Sequence, residues 1–148
     1  MPQSYIQVLL HLVFSTKKRY PSLRSEMRPD LFAYMGGILK GVSAKPLIIN
    51  GTDDHVHLLL AMPATRALAD VARDLKANSS RWMHEHGATE FAWQNGYGAF
   101  SVSASNQDVV MKYIVAQGEH HRKTTFQEEF LALLRKHGVS YDERYIWA

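Results

Sequence analysis

The chain contains no cysteine among its 148 residues, so disulfides and thiolate metal sites are excluded. This absence fits a reducing compartment. The N-terminus also lacks the charged-then-apolar pattern of a signal peptide, and the longest apolar runs are too short to span a bilayer. We therefore expect a cytoplasmic protein that has no membrane segment.

A strong excess of one charge is also missing, as is any linker between domains. The formal net charge is +3, which barely favours a nucleic-acid binder over an ordinary enzyme. No internal repeat, low-complexity tract or Pro/Ser-rich stretch interrupts the sequence. With 46% hydrophobic residues, the range 1–148 is expected to form one domain with a buried core.

The spacing of apolar residues predicts a mixture of strands and helices. Residues 4–15 are apolar on both sides of a strand, which is typical of the centre of a sheet. A helix is expected to begin near Pro29. The ranges 46–50 and 55–62 are expected to form two strands of a hairpin whose turn is 51–54.

The second half of the chain completes the order β-α-β-β-α-β-β-α-α. This order predicts an α+β domain with helices packed on one face of a largely antiparallel β-sheet. The remaining predicted elements are a helix over 65–86, strands over 91–93 and 98–103, a helix from about Asn106 to about His121, and a helix from Thr124 to Lys136 with a Thr124-x-x-Gln127 capping box.

Two histidines stand one residue apart in the predicted strand 55–62. Because side chains alternate along a strand, His55 and His57 point to the same side of the sheet. Their neighbours are apolar, and buried imidazoles in such a strand need polar partners. The pair therefore favours metal or phosphate chemistry, while Asp54 either supplies an acceptor to the histidines or simply occupies the turn.

Two other reactions that use this histidine spacing are excluded by missing partners. A histidine-triad nucleotide hydrolase needs a third alternating histidine, but position 59 is Leu59. A two-histidine phosphoesterase needs two separate His-x-Ser/Thr motifs, and no such pair is present around His55 and His57.

Tyr113 and Gln117 are four residues apart in a predicted helix and therefore share a face. Alone, Tyr113 would be interpreted as a core tyrosine with its hydroxyl at the edge. Gln117 changes this interpretation, because its amide needs a partner that a metal would provide. With the histidine pair, these residues would give two imidazoles, one amide oxygen and an adjacent phenol, a combination suited to cleaving a phosphodiester.

These motifs occur together in one known family. In order along the chain they read DHVHLL, WQNGYGAFS and YIxxQxxHH, and this combination resembles the single-tyrosine HUH transposases, the transposase A proteins of the insertion-sequence-200-like class. One departure is Ala116, where an asparagine is common in similar proteins. The matching segments are Asp54–Leu59, Trp93–Ser101 and Tyr113–His121, with His11–Thr16 and Glu128–Val139.

The resemblance implies a ferredoxin-like HUH nuclease fold and a DNA transposase. His55, His57 and Gln117 are then expected to bind a divalent metal, Mg2+ or Mn2+, and nitrogen ligands favour Mn2+. Tyr113 is expected to attack a phosphate of single-stranded DNA, which leaves a 5′-phosphotyrosine and a free 3′-hydroxyl. The bond energy is retained, so strands can be rejoined without ATP.

The resemblance also implies a homodimer that acts on single-stranded DNA with hairpins. The sequence leaves open whether the Tyr113 helix completes the site of its own subunit or of the partner. His120 and His121 are expected to transfer protons, touch DNA or close a helix end. Basic residues expected to contact DNA phosphates are Lys17, Lys18, Arg19, Arg66, Arg73, Lys76, Arg122 and Lys123.

Two alternatives to a mobile-element transposase remain at this point. A domesticated relative would process repeat hairpins with the same chemistry and would differ only in its genomic flanks. A DNA-binding module without catalysis would need no metal-dependent cleavage. The presence of His55, His57, Gln117 and Tyr113 argues against the module.

Overall fold

The computed structural model of the protein describes residues 3–121 and 123–147, without the side chains of Glu119 and His120. The predicted contacts of Arg122 and His120 lie outside this description. The strands are β1 (Leu9–Ser15), β2 (Lys45–Gly51), β3 (His55–Ala61) and β4 (Gly98–Val102), and the helices are α1 (Arg28–Gly41), α2 (Leu68–Glu85), α3 (Gln107–Val115), α4 (Gln117–His120) and α5 (Phe126–Lys136), with 3-10 turns at Lys17–Arg19 and Ala104–Asn106.

The four strands form one antiparallel sheet in the order β2-β3-β1-β4. The prediction that the first strand lies inside the sheet is therefore confirmed. With α1 and α2 connecting the strands, this is the ferredoxin-like β-α-β-β-α-β arrangement expected from the sequence. Among the described residues, no helix has both the length and the apolar character needed to cross a membrane.

Helices cover both faces of the sheet, so the prediction of helices on one face was wrong. Leu12 and Phe14 of β1 belong to a core with residues of α1 and α2. On the other face, Val13 packs with residues of α5, and Leu9 packs with Ile114 of α3. A strand that is apolar on both sides needs cover on both sides, and α3 and α5 provide the second layer.

Several predicted elements differ from the structure in extent, and the first strand, expected over 4–15, begins only at Leu9. The strand expected over 91–93 is reduced to one bridge, between Trp93 and Thr16. The helix expected from Asn106 to His121 is interrupted at Ala116, which separates α3 from α4. Asn106 precedes α3 but makes no side-chain cap hydrogen bond, so its predicted capping role was wrong.

The capping box of α5 lies one residue later than predicted. Thr125 accepts a hydrogen bond from the backbone of Glu128, and the Glu128 carboxylate accepts one from the backbone of Thr125. At Gly98 on β4, an added Cβ would lie 2.6 Å from the Phe130 ring. The glycine therefore allows α5 to pack closely against the sheet on its histidine-bearing face.

Candidate active site

His55 and His57 lie on the face of β3 that α3, α4 and α5 cover. Both side chains are fully buried. Their backbones are fixed by strand pairing on both sides, since His55 lies opposite Ser15 of β1 and His57 lies opposite Asn50 of β2. The alternation predicted from the sequence thus places both imidazoles in one interior site.

The Nδ1 atom of each histidine has its own partner. The Nδ1 atom of His55 lies 2.7 Å from an Asp54 carboxylate oxygen and 3.0 Å from the Thr52 hydroxyl. The Nδ1 atom of His57 lies 2.7 Å from Nε2 of His11. These contacts leave both Nε2 atoms directed into the site. In metal sites, a hydrogen bond to one ring nitrogen fixes the orientation of the histidine that binds the metal through the other.

Of the two interpretations of Asp54, the structure supports the one in which it is an acceptor for a histidine. His11 was missed by the sequence interpretation. It lies on β1, which pairs directly with β3, and period-two alternation places it on the same face as Val13. Because burial lowers the pKa of His11 to about 3, its ring is neutral and can share a hydrogen bond with Nδ1 of His57.

Burial lowers the pKa of His57 to about 4, so this ring is neutral. Burial also acts to lower the pKa of His55. Hydrogen bonds with Asp54 and Glu129 outweigh this effect and raise the pKa of His55 to about 9. His55 therefore lies between two carboxylates and His57 contacts one of them, and their negative charge favours a cation.

Tyr113 and Gln117 both reach the histidine pair from the same chain. Gln117 is fully buried, and its side-chain oxygen lies 3.1 Å from Nε2 of His55. The Tyr113 ring centroid lies 5.8 Å from that of His57. Asn50 of β2 donates a hydrogen bond to the Ile114 carbonyl at 2.9 Å, which ties the Tyr113 helix to the sheet.

Glu129 of α5 and His121 complete the cluster, and neither was assigned to it from the sequence. The Oε1 atom of Glu129 lies 2.9 Å from His57 Nε2 and 2.8 Å from His121 Nε2. The Tyr113 hydroxyl donates a hydrogen bond to Oε2 of Glu129. Burial and the contact with the Glu129 carboxylate raise the pKa of Tyr113, so its phenol is protonated in this arrangement.

The geometry of this cluster fits a metal ion. One ligand atom from each of His55, His57, His121 and Glu129 lies within 4.8 Å of the others. Imidazole and carboxylate groups are suitable ligands for divalent cations. This buried cluster could therefore hold a metal, as expected from the sequence, and the predicted ligand set of His55, His57 and Gln117 stays a prediction.

Two of the predicted DNA-contacting residues, Arg73 and Lys76, lie on α2, beyond the opposite face of the sheet, and Arg66 lies just before this helix. Arg73 pairs with Asp70 at 3.1 Å, and Arg66 lies 3.8 Å from Asp74. Lys76 donates hydrogen bonds to backbone carbonyls at 2.6 and 2.9 Å, and burial lowers its pKa to about 8. The structure does not bring these residues to the histidine cluster.

The other described residues of the predicted DNA-contacting set lie outside α2. Lys17, Lys18 and Arg19 follow β1, and Lys123 is exposed. Arg19 lines an open cavity of about 690 Å3 that also borders His121. Two further arginines that the sequence interpretation had not selected, at positions 24 and 28, line the same cavity.

Loss of the Asp54 carboxylate tests how the His55 ring is held. Asp54→Asn is expected to weaken Mn2+ binding by about 10–100-fold, because the partner that orients His55, an expected metal ligand, is lost. Asp53→Asn is the matched control, since Asp53 is exposed and contacts the rest of the protein through its backbone carbonyl. Isothermal calorimetry with Mn2+ measures both, and equal affinities in the two variants would contradict this role.

The fold and the site define the class of the protein: a ferredoxin-like domain with a tyrosine beside a buried histidine pair. The family described as "Transposase IS200 like" matches residues 4–117, more than half of the chain. The protein therefore belongs to this family and is a transposase.

Two solved structures have a similar fold. A Deinococcus radiodurans protein assigned as a transposase has a TM-score of 0.64 and 23% identity, over 79% of this chain and 96% of that one. A REP-associated tyrosine transposase bound to a REP hairpin has a TM-score of 0.62 and 14% identity, over 82% of this chain and 73% of that one. No curated protein is significantly similar in sequence.

Proposed function

We propose that the protein cleaves and rejoins single-stranded DNA at element ends, with Tyr113 as the nucleophile. The observation that carries this proposal is the meeting of the Tyr113 hydroxyl with the His55, His57 and Gln117 side chains in one cluster. A complete cluster of this kind argues against a module that only binds DNA. A nucleophile, its orienting groups and a cation site are the parts that phosphoryl transfer needs.

The divalent cation is proposed to be Mg2+ or Mn2+, held by His55, His57 and Gln117. When bound, it would polarise the scissile phosphate and offset the charge that develops there. The side-chain oxygen of Gln117 already faces Nε2 of His55. The nitrogen ligands favour Mn2+, whereas Mg2+ prefers sites built from oxygen alone.

The transfer step exchanges one phosphate ester for another. The Tyr113 oxygen attacks phosphorus, and the bond from phosphorus to the 3′ oxygen breaks. The phenol loses one proton and the 3′ oxygen gains one, so the protons balance. The products are a 5′-phosphotyrosine and a free 3′-hydroxyl. Because the pKa of Tyr113 is raised in the structure, the phenol must lose its proton as the attack proceeds.

We propose that a DNA strand reaches the cluster through the open cavity lined by Arg19, Arg24 and Arg28, which Asp53 and Asp54 also line. This cavity borders His121, which contacts Glu129 within the site. Guanidinium groups bind phosphates well, and a groove of positive charge follows a single strand without reading its sequence. We propose that Lys17, Lys18 and the remaining predicted basic residues add weaker phosphate contacts.

The substrate is proposed to include a hairpin, and the active form is proposed to be a homodimer. A structural neighbour is described as bound to a REP hairpin, which supports the first part. Within one chain, Tyr113 already contacts Glu129 beside the chain's own histidine pair. Dimerisation would then bring two complete sites to the two ends of an element.

Formation of a covalent adduct tests the proposed reaction. Purified protein incubated with single-stranded DNA from its flanking ends and Mn2+ is expected to form an adduct that is stable to denaturation. Electrophoresis of labelled DNA measures it, and a chelator is expected to remove it. Cleavage that leaves no DNA on the protein, or an adduct formed equally well with the chelator, would contradict the proposal.

A further inference from the structure

Glu129 is a carboxylate on the buried face of a helix that otherwise packs with apolar side chains. Its side chain is 2% exposed. Burying an ionised carboxylate is costly unless it is paired, and an apolar residue would suit the packing of α5 better. Its neighbours on this face are Phe126, Phe130 and Leu134.

The two oxygens of Glu129 contact different groups. Oε1 faces the histidines, at 2.9 Å from His57 Nε2 and 3.4 Å from His55 Nε2. Oε2 accepts hydrogen bonds from the Gln117 amide, at 3.1 Å, and from the Tyr113 hydroxyl. One carboxylate thus connects the proposed metal ligands with the proposed nucleophile.

We propose that Glu129 is both an anionic ligand of the metal, through Oε1, and a positioning residue for Tyr113, through Oε2. This inference rests on the proposed function, because it concerns the same site. It adds a fourth donor to His55, His57 and Gln117.

Charge supports the role of Glu129 as a ligand. When histidines bind a metal their imidazoles are neutral, so His55, His57 and the Gln117 amide would provide no negative charge for a buried divalent cation, whereas the Glu129 carboxylate does. Its oxygen is also the type of ligand that Mg2+ and Mn2+ prefer. Hydrogen bonding of the Gln117 amide nitrogen to Oε2 turns the Gln117 oxygen toward Nε2 of His55, the side where a cation would lie.

Position supports the role toward Tyr113. Glu129 accepts the Tyr113 hydroxyl hydrogen bond with Oε2 while Oε1 faces the histidines. The phenol is therefore held next to the place where the scissile phosphate would meet the cation. Glu129 lies beyond the family match, which ends at residue 117.

Glu129→Gln tests both roles, because glutamine has nearly the same shape as glutamate but carries no charge. We expect Mn2+ affinity to fall about 100-fold and the rate of adduct formation to fall at saturating DNA, with affinity for single-stranded DNA unchanged. Glu128→Gln is the matched control, because Glu128 is exposed and glutamine preserves the capping box. Calorimetry, Mn2+-induced thermal stabilisation and single-turnover adduct kinetics are measured on each variant.

Several outcomes would overturn the inference. These are unchanged Mn2+ affinity in Glu129→Gln, faster adduct formation, or a stability loss without metal that leaves Mn2+-induced stabilisation intact. If Glu129→Gln fails to fold, anomalous diffraction from wild-type crystals with Mn2+ replaces it. A peak within about 2.2 Å of Oε1 supports the proposal, and a peak held by His55, His57 and Gln117 alone overturns it.

The experiments can reject the proposed function and this inference independently of each other. His55→Ala is expected to remove Mn2+ binding and adduct formation together. If His55→Ala behaves in this way while Glu129→Gln matches wild type, only the role of Glu129 is wrong. If wild-type protein forms no adduct at all, the proposed function itself is wrong.

Discussion

Tyr113→Phe is expected to abolish the covalent protein–DNA adduct and to leave binding of single-stranded DNA and Mn2+ close to wild type. The substitution removes only the attacking oxygen. The ring remains near His11 and His57, with centroid distances of 6.1 and 5.8 Å in the wild-type protein. Glu129 keeps the hydrogen bond from the Gln117 amide, so the cluster retains its other contacts.

The matched control for this loss is Tyr34→Phe. Tyr34 lies on α1, beyond the opposite face of the sheet, and its ring stacks on Trp82 at 6.0 Å. The same atom is removed there, and adduct formation is expected to be unchanged. Electrophoresis measures the adduct, and fluorescence anisotropy measures DNA binding. An adduct that persists in Tyr113→Phe would show that another residue is the nucleophile.

The histidine pair could be predicted from the sequence because its geometry is local. Alternation along a single strand fixes that His55 and His57 share a side, whatever the rest of the fold does. The position of Tyr113 and Gln117 on one helical face is local in the same sense. Both pairs persist in the structure even though the predicted helix breaks at Ala116.

Glu129 and His11 could not be assigned to the site in this way, because long-range packing places them there. Glu129 is 72 residues from His57, and His11 is 46 residues from it. A signal for Glu129 was nevertheless present, since it shares a helical face with Phe126 and Phe130. An acidic residue within an apolar helical face indicates a buried carboxylate, and therefore a partner or a function.

The second helical layer follows from the apolar pattern of the first strand. The first strand was interpreted as apolar on both sides, and such a strand requires cover on both faces. Leu9 and Val13 contact the second layer, formed with α3 and α5. This layer also places Tyr113, the proposed nucleophile, and Glu129 beside the histidines, which helices on one face alone would not have done.

His57→Ala is expected to reduce metal-dependent adduct formation by about 10³-fold or more. A cation supplies several kcal/mol of stabilisation to the transition state, and about 1.4 kcal/mol corresponds to a tenfold change in rate. The substitution removes a proposed ligand and also the group that contacts His11 and Glu129 at 2.7 and 2.9 Å. Thermal unfolding without metal separates any loss of stability from the loss of binding.

A graded series of histidine variants distinguishes a metal site from an ordinary buried cluster. His11→Ala is expected to cost about 10–100-fold in Mn2+ affinity, because His11 orients the His57 ring without contacting the cation. His84→Ala removes a histidine of α2 that bonds the Phe91 carbonyl at 2.7 Å, and its Mn2+ affinity should match wild type. The order of loss is therefore His57, then His11, then His84. Equal losses at His57 and His84 would point to general destabilisation and contradict a cation bound at His57.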